Sequence, residues 1–208
     1  MLLKDASKRL KKITVFGTGL KSYLDKNMGI KNLWALNVDE LLVSDKIKQQ
    51  LNKKEFEIFF PLNVQMKNID LLLLDLKNNT PKTIQVKGSR TYSPTKAEIK
   101  RYGTGGSAWF SINKKDIFNT KNKVDFFVFV LHNITVGNIK MEMEIDYLIV
   151  PIKDLFNICS YKKLNKKNDY NFFIWLDHND KRVFDFHDNF EKTIDLKFYL
   201  NNWELLIK

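Results

Sequence analysis

Short apolar runs separated by polar turns dominate the chain and predict a protein built largely from strands. The runs fall at residues 55–60, 69–76, 83–87, 109–112, 124–131 and 147–150. Residues 124–131 are almost wholly apolar, which is typical of a strand covered on both faces. Residues 172–176 and 182–186 flank a polar turn and predict a hairpin.

Apolar residues at helical spacing predict a helix over residues 37–52. Glu40 falls on the same face of this helix as Val43 and Ile47, which indicates that the carboxylate points toward the sheet. A second apolar stripe begins at Val38 and leaves open which face is packed. An acid in the first turn is also favoured by the helix dipole, so a purely structural role for Glu40 is equally consistent with the pattern.

The remaining helical segments complete the predicted fold class. A helical turn is expected within residues 94–101, a helix from residue 153, and an amphipathic helix within 196–207. Together with the strands they predict an α/β (or α+β) fold in which a mixed central β-sheet is flanked by helices. The 208 residues contain no repeat or linker, so a single domain over residues 1–208 is expected.

The chain carries a large positive charge. Lys and Arg number 35 against 24 Asp and Glu, which gives a formal net charge of +11. Such a surplus attracts polyanions, and nucleic acid is the commonest polyanion in the cytoplasm. A bias of the whole sequence toward lysine is the alternative explanation, and it predicts no nucleic-acid binding.

The number of cysteines and the N-terminal residues indicate the cellular compartment of the protein. The single cysteine, Cys159, excludes an intramolecular disulfide and a cysteine-based zinc cluster. The first residues are charged from Lys4 onward and lack the apolar core of a signal peptide. No apolar run reaches the length of about 18 residues that a membrane span needs. A cytoplasmic protein without a membrane partner is therefore expected.

Polar residues interrupt the hairpin predicted from the stretch NIDLLLLDLKNNTPKTIQVKGSR. Asp70, Gln85 and Lys87 stand where the strand pattern asks for core residues. A turn centred on residues 78–79 places Asp70 opposite Lys87 and Leu72 opposite Gln85. A salt bridge between Asp70 and Lys87 is the structural alternative. It leaves Gln85 unexplained, because burying an unpaired amide costs about 1–3 kcal/mol.

These residues carry a resemblance to a known family. The spacing of ID, fourteen residues and QVK resembles the motif of the PD-(D/E)xK nuclease superfamily, which has the restriction-endonuclease-like fold. A helix bearing Glu40 and a strand ending in FFP precede the motif in the matching order. The resemblance covers residues 38–130, and residues 131–208 are expected to complete or decorate the core. Gln85 departs from the motif's acidic residue, and Asn68 and Ile69 stand where it has proline.

The resemblance implies a site for Mg²⁺, with Mn²⁺ as a substitute, and a role for each residue. Asp70 is the expected principal ligand, and the backbone carbonyl of Val86 and the side-chain oxygen of Gln85 are expected to join it. Glu40 is expected to reach a metal through water or to help hold a second one. Lys87 is expected to orient or deprotonate the attacking water and to stabilise the charge on phosphate. These oxygen donors suit a hard divalent cation.

The resemblance also implies a double-stranded DNA substrate. The segment after the motif is expected to run beside the cleaved phosphate, with contacts from Ser89, Arg90, Tyr92, Lys96 and Arg101. Restriction-type cleavage is the leading function, and a homodimer is expected because cutting two strands needs two sites. A homing or junction-resolving nuclease and an inactive DNA-binding module on the same fold remain as alternatives.

Other polar and aromatic features have structural explanations. Trp109, Trp175 and Trp203 lie in apolar runs and are predicted to be core residues. The glycine loop at residues 103–106 either cradles a phosphate or forms a turn. His178 and His187 lie among Asp and Asn residues whose spacing fits a turn better than a metal site.

Overall fold

The computed structural model describes residues 38–52, 54–61, 68–120, 123–136, 141–177, 180, 182–186 and 193–207. The described helices are α1 (Val38–Gln50), α2 (Lys96–Tyr102), α3 (Lys114–Thr120) and α4 (Ile152–Ser160). The described strands are β1 (Phe56–Phe59), β2 (Leu71–Asp75), β3 (Thr80–Tyr92), β4 (Gly106–Asn113), β5 (Phe126–Val136), β6 (Met141–Pro151), β7 (Asp169–Asp177), β8 (Arg182–Phe186) and β9 (Thr193–Asp195). The described residues after 37, apart from Pro61, belong to one compact unit.

The strands pair into two sheets that share the long strand β3. In sheet A, strands β1, β2 and β3 form an antiparallel meander, β3 pairs with β5 in parallel, and β5 pairs with β6 in antiparallel. In sheet B, the end of β3 pairs with β4, and β4, β7, β8 and β9 follow in antiparallel order. The predicted mixed sheet and the predicted hairpin of β7 and β8 are confirmed.

Sheet A is covered on both faces because side chains alternate along its strands. One face contributes Ile84 and Val86, which pack with Val43 of α1 in a core that we call the helix-side core. The other face contributes Phe129, which packs with Phe172 of sheet B in a second core, the intersheet core. The prediction that residues 124–131 form a strand covered on both faces is thus confirmed for β5.

The predicted C-terminal helix is wrong. Residues 197–199 and 203–206 form two separate short 3₁₀ turns. Asn201 lies between them with a positive φ of 50°. Its backbone N–H donates to the Tyr147 carbonyl at 2.7 Å, and its Oδ1 accepts from the Tyr147 N–H at 3.0 Å. Because Asn201 pairs with strand β6, the chain cannot continue the helix at this point.

The described helices are short. In that part of the chain no helix is long and apolar enough to cross a membrane.

Candidate active site

Hydrogen bonds to Ile84 and Val86 of β3 hold Asp70, the residue before β2, next to Gln85. Leu71 pairs with Ile84, and the Asp70 N–H donates to the Ile84 carbonyl at 2.9 Å. The predicted register, with Asp70 opposite Lys87, is wrong by two residues. Since a shift of two keeps every side chain on its face, Gln85 and Lys87 still share one face of the strand.

The turn between the strands explains the shifted register. The Asp75 carboxylate accepts hydrogen bonds from the N–H groups of Lys77 and Asn78, at 2.9 and 3.0 Å. Asn79 then takes a positive φ of 53°, which asparagine tolerates better than most residues. The backbone bond from Asn78 is the largest cause that lowers the pKa of Asp75. The turn is therefore centred one residue earlier than predicted.

The Asp70 carboxylate is fixed at the edge of β3. Its Oδ2 accepts the Val86 N–H at 2.8 Å, in the place where a neighbouring strand would supply a carbonyl. The N–H and C=O of one strand residue point to the same edge. The Val86 carbonyl therefore faces the side on which Asp70 lies, as a second oxygen ligand requires.

Gln85 is buried and incompletely paired. Its side chain is 4% exposed, and its Oε1 has no hydrogen-bond partner among the described residues. An unsatisfied buried acceptor costs about 1–3 kcal/mol, and native proteins keep few of them. A bound cation would satisfy the Oε1 atom directly.

The donor set fits a hard divalent cation. Asp70, Gln85 and the Val86 carbonyl contribute only oxygen atoms, the ligands that Mg²⁺ prefers. Within the described ranges, no group of three or more His, Cys, Asp or Glu side chains is arranged to hold a metal ion. The candidate set contains only two such side chains, Asp70 and Glu40, so it depends on the amide and carbonyl oxygens.

Lys87 lies beside this set. It follows Gln85 by two residues on β3 and is half-buried. The Asp70 carboxylate accepts the N–H of Val86, the residue that precedes Lys87. The structure thus brings Asp70, Gln85 and Lys87 together beside strand β3 of sheet A.

Glu40 approaches from the other face of sheet A. It is 5% exposed and lies on the buried stripe of α1 together with Val43 and Ile47, so the predicted helix face is confirmed. Val38 is 65% exposed, which settles the second stripe as the outer one. Helix α1 packs on the Val86 side of the sheet. Glu40 therefore lies on the face of sheet A opposite to Gln85.

A contact that no sequence pattern predicted joins the first turn of α1 to the sheet. Asp39 Oδ1 lies 2.6 Å from His132 Nε2 on β5. The Asp39 carboxylate also occupies the space beside Gly88, since a Cβ added there would lie 1.8 Å from Oδ2. A glycine inside a strand is a signal of such close approach. No pattern in the sequence connects Asp39 with His132.

The residues predicted to contact DNA fall into two groups. Ser89, Arg90 and Tyr92 belong to β3 itself and not to a loop after it, because the strand runs on to pair with β4. Arg90 is exposed, and Ser89 donates to the Arg90 carbonyl at 3.2 Å. Lys96 and Arg101 are exposed on helix α2.

The glycine loop and the tryptophans have packing explanations, with one correction. Gly103 ends α2 with a positive φ of 85°, and a Cβ at Gly105 would lie 2.7 Å from the Leu176 carbonyl.

Trp175 and Trp203 are buried as predicted. Trp109 is 48% exposed, so its prediction as a core residue is wrong. Its neighbours Ala108 and Phe110 take the inward positions of β4, as the intersheet core shows. His178 and His187 lie outside the described residues.

Comparisons with known proteins give no relative. No family model, no curated protein and no solved structure matches this chain. Function is therefore inferred from the residues and their geometry.

Proposed function

We propose that this chain is a metal-dependent endonuclease of the PD-(D/E)xK superfamily that hydrolyses phosphodiester bonds in DNA, with restriction-type cleavage as the leading subclass. The observation that carries the proposal is the Asp70 carboxylate held on the Val86 N–H next to Gln85, whose buried Oε1 has no hydrogen-bond partner in the described part of the chain. A salt bridge that merely closes a hairpin does not require this amide.

The order and pairing of elements support the proposal. Helix α1 precedes an antiparallel meander of β1, β2 and β3, and helix α2 precedes β5, which returns parallel to β3. The proposed site lies at the point where β2 ends and β3 continues beside β5. Because β5 pairs in parallel with this part of β3, side chains of β5 lie next to the proposed site.

Each residue has a role in this proposal. Asp70, Gln85 and the Val86 carbonyl hold Mg²⁺, which when bound supplies a Lewis acid and an activated water. Lys87 is half-buried on the same face as Gln85 and donates hydrogen bonds to the attacking water or to a phosphate oxygen. Glu40 acts from the helix side, through water. The positive charge of the chain and the exposed Arg90 attract the phosphate backbone.

One observation favours a second candidate, a DNA-binding module on the same fold without activity. Gln85 is neutral, so the site has one negative charge fewer than the acidic motif residue would give it. Fewer charged ligands weaken the affinity for a divalent cation.

Cleavage of supercoiled plasmid in Mg²⁺ or Mn²⁺ tests the proposal. Asp70→Ala and Lys87→Ala are each expected to lower the nicking rate by about 10²-fold or more, as loss of a group acting in the transition state does. Asp195→Ala is the control, because Asp195 is an exposed aspartate on β9 of sheet B. Nicking that persists in both site variants overturns the assignment. Salt-dependent binding without cleavage by the wild type favours the DNA-binding module.

A further inference from the structure

Two exposed aromatic rings lie side by side on the outer face of sheet B. Tyr92 at the end of β3 is 52% exposed, and Trp109 on β4 is 48% exposed. Tyr92 pairs with Ser107, which is two residues before Trp109, so the two rings are diagonal neighbours on one face. In the described part of the chain, neither side chain has a hydrogen bond or a ring contact.

The surroundings of the rings extend this aromatic surface. Phe173 on β7 lies directly opposite Trp109 and is half-buried. Scattered single apolar residues on a surface need no explanation, but adjacent large ones indicate a binding surface. We call Tyr92, Trp109 and Phe173 the aromatic platform.

The aromatic platform and the proposed site lie on the same strand, β3, with their side chains on opposite faces of it. Lys87 and Tyr92 are five residues apart on this strand, a distance of about 16 Å. Arg90 lies between them, is exposed, and points to the same face as Tyr92. One further step of the β3–β4 register brings Arg90 opposite Trp109.

The charge around the platform fits a polyanion. Helix α2 begins four residues after Tyr92 and presents exposed Lys96, Lys100 and Arg101 against one acid, Glu98. The whole chain has a net charge of +11. Aromatic rings beside basic residues are the arrangement by which proteins hold unpaired bases and the phosphates that join them.

We propose that the aromatic platform stacks against unpaired bases of a nucleic acid while Arg90 contacts its backbone phosphate. The inference rests on the proposed function and specifies its substrate as a nucleic acid that contains a single-stranded stretch. In a paired duplex the base faces are stacked on one another, so exposed rings select strands whose bases are unstacked.

Fluorescence anisotropy of the full chain with labelled oligonucleotides tests this inference. The probes are an oligothymidylate of about 12 nucleotides and a duplex of the same length, both in EDTA so that no cleavage occurs. Tyr92→Ala and Trp109→Ala are each expected to weaken binding of oligothymidylate about tenfold and to leave duplex binding unchanged. The dependence on salt should keep its slope in these variants and become shallower by about 1 in Arg90→Ala.

Two control variants separate stacking from general damage. Trp109→Phe keeps an aromatic face and is expected to retain most of the affinity. Tyr161→Ala removes a tyrosine that is 74% exposed at the end of α4 and is expected to bind like the wild type. Wild-type affinity for oligothymidylate in Tyr92→Ala and Trp109→Ala, or an equal loss for both probes, overturns the platform.

The outcomes also separate this inference from the proposed function. If oligothymidylate binding depends on Tyr92 and Trp109 but no metal supports cleavage, the platform stands and the nuclease proposal is wrong. If cleavage depends on Asp70 while both platform variants bind normally, the nuclease proposal stands and the platform is wrong. A wild type that binds neither probe overturns both.

Discussion

The Gln85 side chain lies where the motif has an acid, and its effect on the proposed site is electrostatic. It is buried next to Val86, whose N–H donates to Asp70, so an acid in its place would add a second negative charge near Asp70. A neutral amide avoids repulsion between two buried carboxylates in the metal-free protein. The same neutrality lowers the attraction for a divalent cation. In the proposed function, Gln85 therefore lowers the affinity for the metal ion and stabilises the metal-free protein.

Gln85→Glu is expected to raise the affinity for Mg²⁺ and to destabilise the metal-free protein. The added charge should tighten Mg²⁺ binding about tenfold and lower the thermal midpoint in EDTA, because two carboxylates then face each other. Isothermal titration with Mg²⁺ and thermal unfolding with and without EDTA measure the two effects. Gln50→Glu, at the exposed end of α1, adds the same charge away from the site. A variant that binds Mg²⁺ no tighter than the wild type contradicts a metal site at Gln85.

A buried ion pair far from the motif gives a second test at this scale. Lys162 donates a short hydrogen bond to Asp185, and their side chains are only 2% and 1% exposed. Asp185 also accepts the Phe173 N–H at 2.9 Å. Lys162→Ala leaves a buried carboxylate without its countercharge and should lower the free energy of unfolding by about 3–5 kcal/mol. Urea unfolding measures the loss, with the exposed Lys163→Ala as control. A loss below about 1 kcal/mol, as exposed pairs show, contradicts it.

At the scale of elements, the first turn of α1 is held to sheet A by the contact between Asp39 and His132. The Asp39 carboxylate also fills the space left by Gly88, so helix and strand approach closely at the residue before Glu40. This contact acts on Glu40 only through the position of the helix. Any role of Glu40 in the proposed site therefore depends on the helix position that the contact between Asp39 and His132 maintains.

His132→Ala is expected to loosen this end of the helix. The loss of a buried hydrogen-bond partner should cost about 1–3 kcal/mol, and the amides of the first turn of α1 should exchange faster with solvent. Hydrogen exchange with mass spectrometry resolves this segment. Asp45→Ala on the same helix, which removes an exposed bond to Gln49, is the control. Unchanged exchange in the first turn of the His132 variant shows that the contact does not anchor the helix.

Local patterns predicted the elements better than their pairing. Alternation and apolar runs are properties of neighbouring residues, so they located β5, the hairpin of β7 and β8, and the buried stripe of Glu40. The register depended on the hydrogen bonds of Asp75 within a four-residue turn, which the strand pattern does not contain. The Asp39–His132 contact joins residues 93 positions apart, and no local pattern carries it. Trp109 was misplaced because β4 buries only alternate residues.

At the scale of the molecule, sheet A separates the two large cores of the described structure, and a third, small cluster contains Tyr102, Trp175 and Phe186. The helix-side core supports the strand that carries Val86, and the intersheet core joins sheets A and B. The proposed site lies on β3, the strand that both sheets share. An opening of the two sheets would therefore disturb the site and the aromatic platform together. Cys159 lies in the intersheet core and is 5% exposed, so it can report such opening.

Alkylation of Cys159 measures the opening of the intersheet core. Burial is the largest cause that raises the pKa of this thiol, from 9.0 to about 12, while Lys162 acts in the opposite direction. Below pH 9 the folded chain should therefore hold about 10³-fold less thiolate than the unfolded chain and react correspondingly slowly with iodoacetamide. The buried neutral thiol contributes stability below pH 9, and this contribution is lost as the pH rises toward 12. Mass spectrometry of the labelled chain gives the rate, which Lys162→Ala should increase through weaker packing. Equal labelling rates for the native and urea-unfolded chain contradict burial of Cys159 between the sheets.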